Sequence, residues 1–308
     1  MSDVARSSGL AGEVQRCVKA WSSIVLVIAW ALVIPALAAS YGRAADETSV
    51  DPQEAPAEFA QLDVSVVTAK KWAGAAVESA PLLIHFHGAA ETTESNFLNA
   101  HLPGVLVTVN CRGLSSAYRR PFDNERLFAY LIQDAKRKLV AGGKLKSGGA
   151  FSSIGLSCFS AGYGAVREIL KQPASVKRVQ YVVAADSIYA SIHRDGQRRV
   201  VDKRQMQPFL DFARLAVREK KTFVVSHSQL PVEPYASTVE TADYLLRELG
   251  CNRAPVAKVS SGTFATIASA RLGRFLIRSY PGNTGESHLQ HLRNIGELWK
   301  TAVTVDAQ

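Results

Sequence analysis

The chain is predicted to fold as an α/β domain: a mostly parallel, twisted sheet with helices on both faces and only a minimal cap. Three observations predict it. After residue 61, short β-rich runs alternate with patterns of helical periodicity, as strand–helix repeats require. The strand-like runs are continuously apolar rather than alternating, the pattern of strands covered on both faces. Of the 308 residues, 47% are hydrophobic and 20% charged, enough to bury one sizeable core.

The elements follow in order. Residues 21–39 are almost wholly apolar, are preceded by Arg6, Arg16 and Lys19, and close on the small-x-small triplet Ala36, Leu37, Ala38. Residues 1–39 therefore read as a signal peptide, or as an uncleaved N-terminal anchor, since the apolar run approaches the ~20 residues that span a bilayer. Either reading places the rest of the chain outside the cytoplasm. Residues 40–61 carry Asp46, Glu47, Asp51, Glu54 and Glu58, with Pro52 and Pro56, and are expected to be an acidic, flexible linker. The folded domain is expected over 62–308.

Within it, strands are predicted at 64–68, 82–87, 104–110, 153–156, 179–184, 222–226 and 275–280. Helices are predicted where apolar residues recur every three or four positions: Leu127, Leu131, Ala135 and Leu139; Met206, Phe209, Leu210, Ala213 and Val217; Ala242, Leu245, Leu246 and Leu249; and Leu292, Ile295 and Trp299. No internal repeat or interdomain linker interrupts this order.

The net charge is +9, and it stays basic at +8 without residues 1–38, which hold three basic and two acidic side chains. The basic residues are dispersed and no aromatic stacking motif accompanies them, so nucleic acid is not an expected partner. Of four cysteines, Cys17 precedes the apolar segment. Cys111, Cys158 and Cys251 are an odd set without C-x-x-C spacing, and read as buried free thiols rather than a disulfide framework.

The chemistry concentrates at Cys158-Phe159-Ser160-Ala161-Gly162, between a strand-like run and a helix containing Val166, Ile169 and Leu170. This is the G-x-S-x-G pattern with its first glycine replaced by Cys158. On a sharp strand-to-helix turn Ser160 would present its hydroxyl as a nucleophile; an N-cap is the plainer role for a serine there. A serine nucleophile needs a general base, and His288 arrives on a glycine-containing loop after the last strand-like run. His291, one turn later, reads as a surface or packing residue. Asp186, at the carboxyl end of its strand, is the candidate acid; Glu233, in the loop after the next strand, is the alternative. His85, His87 and Gly88 end a strand in His-Gly followed by small residues, where a backbone N–H can meet a developing oxyanion. His85 and His87 also form an H-x-H pair, but no third ligand stands at a zinc spacing, so no metal is expected.

With Ser, Asp and His in that order, the His-Gly loop and the elbow, the sequence from residue 62 to the C-terminus resembles the α/β-hydrolase superfamily, in its serine esterase and lipase-like branch. The resemblance implies Ser160 as nucleophile, His288 as base and Asp186 as acid, with the amides of Ala89 and Ala161 forming the oxyanion hole. It implies no cofactor. It places the acid after the sixth strand of that fold rather than the commoner seventh. His87, Gly88, Tyr189 and His227 are candidates for the substrate pocket. Residues 187–201 are too few for a separate lid, so an open site is expected, bordered by Tyr189, His193, Arg194, Arg198 and Arg199. The implied activity is hydrolysis of a carboxylic ester, free or polysaccharide-linked. An amidase, peptidase or acyltransferase would use the same residues, and a non-catalytic binding protein at the cell surface is the reading from another class. A membrane contact is expected only through an N-terminal anchor; oligomeric state and the acyl and alcohol groups stay open at this level.

Overall fold

The structure is a computed structural model that describes residues 54–72, 75–256 and 264–306. The chain divides into units Met1–Thr48 and Ser49–Gln308, and the described residues all belong to the second. The export or anchor segment and residues 40–53 lie outside the described residues. Among those described, no helix is long and apolar enough to cross a membrane.

The first half contains β1 (Asp63–Thr68), β2 (Val77–Phe86), α1 (Ala90–Asn99), β3 (Val105–Asn110), α2 (Ser115–Phe122) and α3 (Glu125–Ala141). Then follow β4 (Leu145–Phe159), α4 (Tyr163–Lys171), α5 (Pro173–Arg178), β5 (Val179–Ala185), and the two short strands β6 (Ile192–Asp195) and β7 (Arg198–Val201). The last part holds α6 (Lys203–Val217), β8 (Thr222–His227), α7 (Thr238–Glu248), β9 (Ala254–Pro255), β10 (Ala268–Leu272), β11 (Phe275–Ser279), α8 (Gly285–Arg293) and α9 (Ile295–Asp306).

Among the described residues, nine strands form one sheet in the order β1-β3-β2-β4-β5-β8-β11-β10-β9. The six from β3 to β11 in that order pair in parallel, while β1 at one edge and β10 and β9 at the other are antiparallel. The predicted sheet is therefore present, mostly parallel and flanked by helices on both faces. Its strands are apolar on both sides for the expected reason. Leu82, Ile84, Phe86, Val182 and Ala184 pack with α2, α3, α4, α6 and α7. Their neighbours Leu83, Tyr181, Val183 and Ala185 pack against α1, α8 and α9, around the fully buried Trp299.

Four differences from the sequence expectations have physical causes. Order starts before residue 62: a 3-10 turn over Ala57–Gln61 is fixed by Asn124 Nδ2 donating to Glu58 Oε2 (3.0 Å) and by an edge contact of Phe59 with Tyr130. The strand expected over 153–156 extends over Leu145–Phe159, because its polar first half pairs with the start of β2. Residues 192–201 form the β6–β7 hairpin, whose charged sequence carries no strand signal. The helix expected across 292–299 is two helices, broken at Asn294, whose amide nitrogen donates to the Gln290 carbonyl at 2.8 Å.

Candidate active site

The carboxyl ends of β2, β4 and β5 each stop on a non-glycine residue in the left-handed region: His87 (φ 73°), Ser160 (φ 46°) and Asp186 (φ 40°). Such backbone costs on the order of 1–3 kcal/mol per residue, so the surrounding packing must impose it. At Ser160 the imposing contacts are visible. β4 runs straight into a single 3-10 turn, Ser160–Gly162, and then into α4. The Ser187 hydroxyl donates to the Ser160 carbonyl at 2.8 Å. A Cβ on Gly162 would lie 2.1 Å from the Phe86 carbonyl oxygen, and one on Gly164 would lie 2.3 Å from that of Ser115. Both glycines let the turn press against neighbouring backbone.

The first position of the pentapeptide does not need glycine here. Cys158 is the penultimate residue of β4, in register with Phe86 on one side and Ala184 on the other, and its side chain points into the core beside that small alanine. Burial pushes its thiol up to about 12, so it stays protonated. Cys111, Cys158 and Cys251 are all free thiols, but of the three only Cys158 is buried as expected; Cys111 and Cys251 are half-buried.

Asp186 is buried, and its carboxylate accepts four hydrogen bonds. Ser228 supplies its backbone N–H (2.9 Å) and its hydroxyl (2.6 Å), Thr238 its hydroxyl (2.5 Å), and His288 its Nδ1–H (2.7 Å). Burial alone would raise this carboxyl, but the His288 hydrogen bond, the electrostatic attraction of His291 and His288, and the Ser228 hydrogen bond together outweigh it and hold the group well below the usual carboxylate range. An ionised acid can only accept, so a neutral His288 carries its proton on Nδ1 and leaves Nε2 bare. A bare Nε2 is what a serine proton requires. Ser228 and Thr238 were not singled out from sequence; a hydroxyl residue just past a strand and another opening a helix read as ordinary caps.

His288 was expected on a loop, but it is the fourth residue of α8, whose N-cap Thr284 accepts from Ser287 N–H at 3.2 Å. Its ring stacks on Phe159, the residue before Ser160, with centroids 4.5 Å apart. The ring of His87 lies parallel to the same Phe159 at 6.1 Å. His288 and Ser160 are thus brought to one edge of the sheet on either flank of Phe159's backbone and ring. Among the described residues the Ser160 hydroxyl has no hydrogen-bond partner.

The His-Gly loop is held from below by a relay. His85 Nε2 faces the His87 carbonyl (2.8 Å), which only accepts, so that nitrogen carries the proton. The bare Nδ1 then accepts from the Ser157 hydroxyl (2.9 Å), whose oxygen accepts from the Trp299 indole N–H (2.8 Å). Gly88 (φ 132°) donates its N–H to Asn110 Oδ1 at 3.1 Å. Ala89 caps α1 and Ala161 sits in the first turn after Ser160, positions whose amides the helical ladder leaves over.

Three expected site residues fall elsewhere. His227 is not a pocket residue: it is buried, its Nδ1–H donates to the Ser228 carbonyl (2.9 Å), and its Nε2 bonds the Ser279 hydroxyl (2.8 Å). Glu233 is an exposed side chain (87%) facing Arg199 at 3.7 Å, while His288 is already joined to Asp186. Arg199 does not border an open site as a free cation. It donates to the carbonyls of Val232, Glu233 and Tyr235 and to the Glu240 carboxylate. Tyr189 does lie beside the acid, donating from its hydroxyl to the Asp186 carbonyl at 3.4 Å. As for an H-x-H metal pair, both nitrogens of His85 are engaged, and among the described residues no group of three or more His, Cys, Asp or Glu is placed to hold a metal ion.

His291 is fully buried, with Nδ1 against the Ser226 hydroxyl at 2.8 Å. Burial pushes it down to about 4 and His85 to about 3. In the unfolded chain both titrate near 6.5, so the unfolded state binds protons first on acidification, and stability rises with pH between about 4 and 6.5. The expected result is an unfolding free energy, read from urea titrations, that falls between about pH 6.5 and pH 4 by on the order of 1.4 kcal/mol per pH unit for each such histidine. His291→Phe should remove one histidine's share of that slope and leave the shares of His85, His87 and His227, which burial also pushes down; an unaltered slope would show that His291 is not held neutral.

No family model and no curated protein matches the sequence. Solved structures do. The enterobactin esterase from Shigella flexneri, crystallised in the presence of enterobactin, aligns at 12% identity over 79% of this chain and 54% of its own, with a TM-score of 0.47. The chain thus spans about half the length of that protein. Est1E from Butyrivibrio proteoclasticus with bound ferulic acid aligns at 11% identity over 79% and 96%, TM-score 0.39. The glucuronoyl esterase from Solibacter usitatus aligns at 13% over 77% of each chain, TM-score 0.37. The architecture stands on the chain's own topology: a parallel sheet with one antiparallel strand beside β3, a serine elbow after the central β4, and an aspartate and a histidine on the following segments give it the α/β-hydrolase fold.

Proposed function

We propose that the protein is a serine hydrolase acting on a carboxylic ester. The observation that carries this reading is the buried Asp186 carboxylate bonded to His288 Nδ1 at 2.7 Å, on the same sheet edge as Ser160 in its left-handed turn. In this reading Ser160 attacks the acyl carbon as its proton passes to His288 Nε2. The amides of Ala89 and Ala161 bind the oxyanion of the tetrahedral intermediate. Collapse expels the alcohol, which takes the proton from His288. Water, deprotonated by the same nitrogen, then releases the acid from Ser160. Export on the strength of residues 1–39 belongs to the same proposal, and the mass of the mature N-terminus tests it.

A fluorophosphonate probe separates an enzyme from a binding protein with a hydrolase-like fold. The expected result is one covalent adduct on the native protein, absent from Ser160→Ala, with p-nitrophenyl acetate hydrolysis reduced at least about a thousandfold in that variant. A native, folded protein that takes no label sinks the proposal.

A further inference from the structure

The loop after β8 carries an exposed aromatic residue that the fold does not need. Among the described residues four large apolar side chains are exposed: Leu114 (78%), Tyr235 (42%), Ile267 (41%) and Leu289 (41%). Three of them follow the carboxyl ends of parallel strands. Leu114 comes after β3, Tyr235 after β8, and Leu289 after β11, next to His288. Ligands of open parallel sheets bind at those ends.

Tyr235 is tied to the acid more closely than the others. Its loop leaves β8 at Ser228 and enters α7 at Thr238, and both of those residues donate to the Asp186 carboxylate. Its ring packs edge-on against Tyr189 (5.3 Å), and Tyr189 packs against Tyr163 (5.5 Å), three residues beyond Ser160. A row of three tyrosines therefore runs outward from the elbow, past the acid, to solvent. The outer end of the row is rigid. The Arg199 guanidinium donates to the carbonyls of Val232 (2.8 Å), Glu233 (2.9 Å) and Tyr235 (2.8 Å) while gripping Glu240 at 2.7 Å. Ala236 N–H bonds the Ala190 carbonyl at 2.7 Å, and Ser237 with Glu240 forms a capping box. So much backbone restraint on a water-exposed aromatic ring serves preorganised stacking better than it serves stability.

We propose that Tyr235, backed by Tyr189 and Tyr163, is a subsite for a planar aryl group of the substrate. This rests on the ester-hydrolase reading above and names its substrate class, an ester bearing an aromatic ring on its acyl or alcohol side. A tyrosine face recognises such a ring by offset or edge-to-face stacking, which an aliphatic chain of equal area does not offer.

The test compares methyl cinnamate, phenyl acetate and methyl hexanoate on the native protein and on Tyr235→Ala. The ratio of kcat/KM for the better aryl ester to that for methyl hexanoate should fall about five- to tenfold in the variant, with the change in KM. The aryl ester that loses more identifies the side of the ester the row receives. An unchanged ratio overturns the subsite, whether both activities fall or neither does. A second arm does not depend on turnover: binding of cinnamamide and hexanamide to Ser160→Ala, followed by NMR, with and without Tyr235→Ala. Cinnamamide should bind about five- to tenfold more weakly when Tyr235 is removed, and hexanamide should change by less. Equal losses for the two amides overturn the proposal. Failure of fluorophosphonate labelling with selective cinnamamide binding retained would sink the hydrolase reading and leave the aryl site standing.

Discussion

Asp186→Asn is expected to lower turnover of p-nitrophenyl acetate by about ten-thousandfold, the scale seen when a triad acid loses its charge but keeps its shape. The reason lies in the proton on His288. Asp186 now accepts from His288 Nδ1, from the Ser228 hydroxyl and amide, and from Thr238. An asparagine in its place has one accepting oxygen, and three donors besides the imidazole compete for it. Its NH2 group then faces either a hydroxyl, which can turn to accept, or Nδ1, which must give up its proton to Nε2. A protonated Nε2 cannot take the proton of Ser160. Glu233→Gln is expected to leave turnover within about twofold, because an exposed carboxylate at the rim contributes little electrostatically. The comparison needs kcat for the two variants under saturating substrate, and a larger loss at Glu233 would move the acid to the loop after β8.

Gly162→Ala is expected to cost stability and activity together. The added Cβ would sit 2.1 Å from the Phe86 carbonyl oxygen and 2.7 Å from its carbon, backbone atoms at the end of β2 that have no rotamer to escape through. Either the elbow or the end of β2 must move. Overpacking of this kind costs about 1–3 kcal/mol, visible as a lower urea midpoint. Both moving parts carry the site, Ser160 on one and the His87–Gly88 loop on the other, and a displacement of about 1 Å can cost on the order of a hundredfold in rate. Gly148→Ala is the control: its Cβ would meet nothing within 4 Å, and both readouts should stay near native. If Gly162→Ala matched that control, the elbow would not be tight at this point.

Much of this arrangement was legible in the sequence because it depends on short-range pattern. The parallel strands read as continuous apolar runs, and the apolar run 179–185 ending on a charged residue points to Asp186. What was not legible depends on partners far apart in the chain. Ser228 and Thr238 matter only because β8 lies beside β5, and His85 matters through Ser157 and Trp299, 72 and 142 residues apart in the respective pairs. The β6–β7 hairpin is hidden by its charge, and Arg199 within it reads as a cation at the border of an open site. The folded chain turns that arginine into a brace for residues 232–235. His227 misled for the opposite reason: a histidine at a strand's carboxyl end resembles a site residue, and only its two hydrogen bonds show it facing inward.

Left-handed backbone at His87, Ser160 and Asp186 has a consequence for how this protein can change. The three residues directly follow neighbouring strands, so half of the six non-glycine residues with positive φ among the described residues lie along a single border of the sheet, the others being His101, Ile188 and Glu219. Replacing any of them by glycine would relieve local strain and also delete a side chain of the proposed site. Selection for thermostability should therefore accumulate substitutions on helices and peripheral strands, and variants that gain stability at this border should be the ones that have lost their chemistry.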